Sequence, residues 1–203
     1  MTAFSFNIAA WRASSSYFAE PQAWQRWAEN GCVDTAAETK PALEFLPAMQ
    51  RRRLSPAARL VFDAAWPLAE EFPNCPLVYA SHDGEINRSF ELWQSLLREQ
   101  TVSPASFGLS VHNALAGQWS MLRQDMSENT ALSADQDSLE SALAEAYALL
   151  QEGADKVWVV LADEPLHTEY AVNAERAPFA HALAIVLEAG DDYRISLLPP
   201  DAA

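Results

Sequence analysis

The sequence predicts an α/β layered fold, a central mixed sheet flanked by helices. Short apolar runs bounded by turn residues alternate with longer stretches of helical periodicity, the signature of strands interleaved with helices. One of those runs, Val157 to Leu161, is continuously apolar, as expected of a strand covered on both faces. The 203 residues are half hydrophobic, enough for one core, so residues 1–203 are expected to form a single domain.

Each element has a local reason. Phe4 to Ala10 alternates loosely between large apolar and small or polar residues and reads as a strand. Pro21 to Asn30 carries Trp24 and Trp27 on one face, with Gly31 as a stop, and reads as a short helix. Residues 31–48, with two prolines, read as a connection. Ser55-Pro56 is a helix start, Ser as N-cap and Pro at the first helical position. That helix is expected to run to about Glu71, kinked or shortened at Pro67. Leu77 to Ala80 is a buried strand. Glu85 to Gln100 is an amphipathic helix with Phe90, Trp93, Leu96 and Leu97 expected inward. Ser103-Pro104 opens a further helical segment over Phe107 to Leu122. Asn129 to Ala134 is a short strand, and Asp137 to Gln151 a strong helix closed by Gly153. Residues 163–177 are polar and irregular. Ala180 to Glu188 and Tyr193 to Leu198 are expected as two strands, joined at Gly190-Asp191-Asp192 by a hairpin.

Composition excludes several functions. The chain has 13 Lys+Arg against 28 Asp+Glu, a formal net charge of −15. Such a balance opposes binding to nucleic acid or to an anionic membrane, both of which need clustered cations. No run approaches the roughly 18 apolar residues of a membrane span, and no charged-then-apolar leader precedes the first strand. A cytoplasmic location is expected, with no membrane insertion. Cys32 and Cys75, the only cysteines, are then free thiols, and packing suits them better than nucleophilic work because no basic group adjoins either.

Spacing alone offers little chemistry. His82, His112, His167 and His181 show no metal-ligand spacing, so neither metal nor cofactor is expected. Gly108-Leu109-Ser110-Val111-His112 approaches a nucleophile elbow but lacks the last Gly and the feeding strand. Ser81-His82-Asp83-Gly84-Glu85 follows a strand, where α/β proteins place functional loops; its composition equally suits a polar turn. Arg51-Arg52-Arg53 is the sole basic cluster, fit for a phosphate or an acidic partner, or for local ion pairs.

Beyond Val102 a resemblance emerges. Ser103-Pro104, followed by Asn113-Ala114-Leu115-Ala116-Gly117-Gln118-Trp119-Ser120, resembles a segment of the β-ketoacyl synthases. Other pieces follow in the family's order: Arg51 to Asp63 as the Arg-rich lead into an early helix, Pro76 to Ser81 as a strand, and Asn129 to Glu140 as the strand and elbow of the catalytic cysteine. Gly153 to Val160 and Ala184 to Glu188 resemble two later strands. The likeness covers the N-terminal half of that family and implies a truncated thiolase-like fold, its C-terminal half absent. The motifs Ser81 to Glu85 and Ser110 to Asn113 look closest to the short ketosynthase-like proteins of aryl polyene and other type II polyketide systems.

The resemblance puts the family nucleophile at Asp135 or Gln136, neither of which can form an acyl thioester. It therefore implies a subunit like a chain-length factor: non-catalytic by itself, paired as a heterodimer with a catalytic ketosynthase and shaping its acyl tunnel. Such a subunit belongs to polyketide, aryl polyene or fatty-acid-like biosynthesis and meets acyl carrier protein indirectly. Carried over, Ala105, Ser106, Phe107, His112, Leu115 and Trp119 line the tunnel. Asn129, Thr130, Ala131, Leu132, Ser133 and Ala134 form the dimer strand, and Arg51, Arg52 and Arg53 offer a carrier-protein contact. The alternative is a stand-alone acyltransferase or hydrolase using Ser110 with His112 or His82.

Overall fold

The computed structural model describes residues 3–18, 20–31, 38–170 and 177–196. Five strands form one sheet in the order β1-β5-β4-β2-β3: β1 is Ala3–Ser15, β2 Leu77–Ser81, β3 Asn129–Ser133, β4 Lys156–Asp163 and β5 His181–Ser196. Strands β4, β2 and β3 are parallel, while β5 pairs antiparallel with β4 and with β1. The expected mixed sheet is thus observed.

Alternate residues of the central strands feed two cores. Tyr79, Trp158 and Val160 face one side with α3 (Pro56–Glu71) and Leu115 and Trp119 of α6 (Ala114–Arg123). Val78, Ala80, Val157 and Val159 face the other with Ala142, Leu143 and Ala146 of α7 (Ser138–Gln151). This double coverage explains why β4 lacks the polar alternation of a half-exposed strand. Among the described residues the remaining α-helices are α1 (Pro21–Asn30), α2 (Ala48–Arg51), α4 (Ile86–Glu99) and α5 (Pro104–Gly108), with a short 3-10 helix at Thr168–Tyr170.

Four expectations need correction. Gly190-Asp191-Asp192 makes no hairpin, because β5 is one strand along the whole of β1. The pairing jumps from Phe6↔Tyr193 to Asn7↔Glu188, so residues 189–192 bulge out of the ladder. The Asp192 N–H donates to Asn7 Oδ1 (3.0 Å), and a Cβ at Gly190 would lie 2.1 Å from that side chain. Helix α3 is not shortened by Pro67, which sits inside it. The segment from Phe107 to Leu122 is two helices, separated by the non-helical residues 109–113.

The fourth correction concerns α4. Phe90 packs inward on the Tyr170 ring, 4.3 Å between centroids. Trp93, Leu96 and Leu97 instead face outward, with Leu97 74% exposed. Phe107, Val111 and Met121 are exposed as well. The apolar stripe is real, but no other described element covers it.

The start of α3 is tied to that of α4. Ser55 Oγ accepts the Ala58 N–H (3.1 Å) and donates to Glu85 Oε1 (2.6 Å), a buried carboxylate that also receives Arg88 Nε (3.1 Å). Losing a cap costs about 1 kcal/mol, and stripping a donor from a buried charged group adds roughly 1–3 kcal/mol. Ser55→Ala is therefore expected to destabilise the protein by about 2–4 kcal/mol in urea unfolding; a loss no larger than a cap alone would contradict the link to Glu85.

Candidate functional site

The carboxyl ends of the three parallel strands gather the polar residues of the site. Strand β2 delivers Ser81, β3 delivers Ser133, and β4 delivers Asp163. The loop after β2 turns sharply at Gly84 (φ +57°), where a Cβ would lie 2.9 Å from the His112 ring. Ser81 Oγ accepts the Gly84 N–H (2.9 Å) and lies 2.9 Å from His112 Nε2. Ser81 is fully buried, and the His112 ring packs 5.6 Å from that of Tyr79. Burial pushes the Tyr79 phenol well above its usual range.

His82 is held from several sides. Its N–H donates to Asp163 Oδ1 (2.8 Å), and its carbonyl accepts Ser133 Oγ–H (3.0 Å). Its ring nitrogens lie 3.0 Å from Asp83 Oδ1 and 2.8 Å from Asp135 Oδ1. Asp135 stands on the turn between β3 and α7, exposed to solvent but pinned to the β2 loop. Gln136, the next residue, is exposed. The turn at Asp135-Gln136 is thus tied by a His–carboxylate contact and carries no thiol.

Behind this cluster, Asn87 Nδ2 donates to Glu164 Oε1 (2.8 Å) and the Pro165 carbonyl (3.0 Å), while Asn87 Oδ1 accepts the His167 N–H (3.1 Å). Burial pushes both the Asp163 and Glu164 carboxyls up, partly offset by the His82 N–H and the Asn87 amide, respectively.

The other sequence candidates fall as follows. Ser110 Oγ donates to the Phe107 carbonyl (2.9 Å), while the His112 and His82 imidazoles engage Ser81 and Asp135. Leu115 and Trp119 are buried in the chain's own core, Trp119 against Phe62 at 5.5 Å. Ala105 and Phe107 are exposed, and Ser106 is half-buried. Residues 129–133 form the edge strand β3, with Ala134 just beyond it, and among the described residues no strand pairs with its outer edge. Arg51 donates to the Ala42 carbonyl (2.9 Å), and Arg52 and Arg53 are exposed. Burial, with Asp125 nearby, pushes the Cys75 thiol up, which suits a packing role. Cys32 lies outside the described residues. The Ser81–His112 and His82–Asp135 pairs escaped the sequence reading because their partners are separated by 31 and 53 residues. No described helix is long and apolar enough to cross a membrane.

Comparison with known proteins adds a lineage. The sequence model of the family described as β-ketoacyl synthase, N-terminal domain, matches residues 24–202. A chain from the structure of a ketosynthase (ApeO) in complex with its chain length factor (ApeC), from Xenorhabdus doucetiae, is similar with a TM-score of 0.83 and 26% identity, over 93% of this chain and 81% of that one. The ishigamide ketosynthase/chain length factor is similar with a TM-score of 0.70 at 15% identity, over 94% of this chain and 63% of that one. A β-ketoacyl synthase from Burkholderia phymatum gives a TM-score of 0.65 at 14% identity, over 92% of this chain and 59% of that one. This chain thus spans less than two thirds of the latter two, whose likeness shows a shared thiolase-like layered fold. No curated protein matches the sequence.

The raised Glu164 carboxyl has a pH consequence. As pH rises past the ordinary glutamate value of 4.5, the unfolded chain loses this proton first, so the folded state loses stability until its own carboxyl ionises. Glu164→Gln keeps an acceptor for Asn87 and removes the penalty. In urea unfolding between pH 4 and 8, the variant is expected to gain on the wild type as pH rises; a constant gap would contradict the assignment.

Proposed function

This chain belongs to the β-ketoacyl synthase family through its N-terminal domain, and on that premise we propose that it acts as a chain-length-factor-like subunit, pairing with a catalytic ketosynthase and shaping the tunnel that receives the growing acyl chain. The observation that carries this reading is the turn after β3. A condensing enzyme needs a thiolate there to hold the acyl group as a thioester. This chain has Asp135-Gln136 instead, with Asp135 engaged by His82.

The surface supports a partner. An open β3 edge invites strand pairing. The exposed Trp93, Leu96, Leu97, Phe107 and Met121 lie on α4, α5 and α6. Large exposed apolar residues collected on neighbouring elements mark an interaction face. The similar chain from the ketosynthase–chain length factor complex supports the kind of partner. Residues 129–134 would pair across the dimer, Arg51, Arg52 and Arg53 would meet an acidic carrier protein, and the subunit would work in the cytoplasm.

Such a subunit works by shape. Ala105, Ser106 and Phe107 on α5, with His112 after it, would form the accessible tunnel floor, backed by Leu115 and Trp119 in the core. A chain extended until it must displace a side chain meets overpacking of about 1–3 kcal/mol, a factor of about five to a hundred or more in a product ratio. Small side chains at Ala105 and Ser106 leave depth for longer products.

Co-expression with a ketosynthase that retains its cysteine and two histidines, followed by size-exclusion chromatography, is expected to yield a heterodimer; separate elution of the two chains would contradict the pairing. In that complex Ser106→Trp is expected to shift products about tenfold toward shorter chains by mass spectrometry. Unchanged product length in an intact complex would contradict the tunnel role.

A further inference from the structure

A groove of about 710 Å³ opens between residues 50–54, Arg88 of α4, α5 and α6. Its walls include Leu54, Leu109, Met121 and Leu122, together with Ala105 and Ser106. Three arginines, Arg52, Arg53 and Arg88, also line it. That is unexpected in a chain of net charge −15 with only 13 basic side chains. Arg88 is committed to Glu85 Oε2 (3.1 Å) and the Arg53 carbonyl (3.3 Å). Among the described residues Arg52 and Arg53 form no ion pair, so local carboxylates do not neutralise them.

The volume is that of a small-molecule site. Apolar walls select a hydrocarbon chain, and a guanidinium fork selects a carboxylate, which it can grip through two parallel hydrogen bonds. An alkyl terminus would bring hydrocarbon against two cations and offer them no acceptor in return for the water displaced. We propose that this groove binds a linear apolar chain ending in a carboxylate, the carboxylate directed at Arg52 and Arg53. Assigning that chain to the far end of the acyl group rests on the tunnel reading of Ala105 and Ser106, and it replaces the carrier-protein contact at Arg52 and Arg53, leaving that contact to Arg51. The binding itself needs no ketosynthase.

The test is calorimetric titration of the full chain with decanoate, decan-1-ol and acetate, repeated on the double variant R52Q/R53Q. Both arginines are exposed and no described carboxylate pairs with them, so the variant is expected to keep the wild-type circular dichroism spectrum. Decanoate should bind saturably, at least about tenfold more tightly than decan-1-ol, the scale of one charge-assisted hydrogen bond. Acetate should show no saturable binding, and R52Q/R53Q should lose the preference for decanoate over the alcohol. Absence of decanoate binding, equal affinity for the alcohol, or an undiminished preference in the variant would overturn the proposal. So would a glutamate-rich amphipathic peptide that binds through Arg52 and Arg53 while decanoate does not, which would make the groove a docking site for a partner helix. Because the titration uses this chain alone, its failure leaves heterodimer formation intact, and a failure to form the heterodimer leaves the titration readable.

Discussion

Strands β4, β2 and β3 run in the same direction, and that constraint organises the molecule. Parallel strands release their carboxyl ends on one side of the sheet, so the loops that follow must converge there. The register decides what meets. Leu161 stands opposite Ala80, and Ser133 opposite Ser81. Asp163 is thereby brought to the His82 N–H, and Ser133 to the His82 carbonyl. Each return to a parallel strand needs a crossover that covers a face of the sheet. Helix α7 covers one face, while α3 and α6 cover the other. Core and site therefore have one cause.

The same geometry sets what the turn after β3 meets. The turn after β3 projects toward the meeting point of the strands. It projects a carboxylate, and the imidazole beside it is occupied by two acidic side chains. An acidic residue at this point has a structural use, since it ties the turn to the β2 loop. The buried Ser81 and its His112 partner brace the same loop from beneath. What remains available is surface: an edge strand, an apolar helical face and a groove with cationic walls.

Local signals were legible where local physics decides the outcome. Ser55-Pro56 starts α3 because cap and ring act within one turn, and the unbroken apolar run of β4 announced its double coverage. Gly190-Asp191-Asp192 misled because a bulge and a hairpin ask for the same small, polar residues. Only the pairing of β1 with both halves of β5 distinguishes them. The stripe Trp93, Leu96 and Leu97 was legible as apolar, but periodicity says which face is apolar and not what covers it. The contacts of His82 were illegible because their partners come from different strands. Without the ordered family motifs, the turn at Asp135 would have read as an ordinary acidic helix start.

In the proposed function this chain contributes shape and leaves covalent chemistry to its partner. Intact-protein mass spectrometry of the heterodimer, after brief exposure to an acyl carrier protein charged with a labelled acyl group, tests it most directly. The account predicts that the acyl mass appears on the ketosynthase subunit alone and that this chain retains its unmodified mass. A stoichiometric acyl adduct on this chain, formed with its partner's cysteine removed, would contradict it.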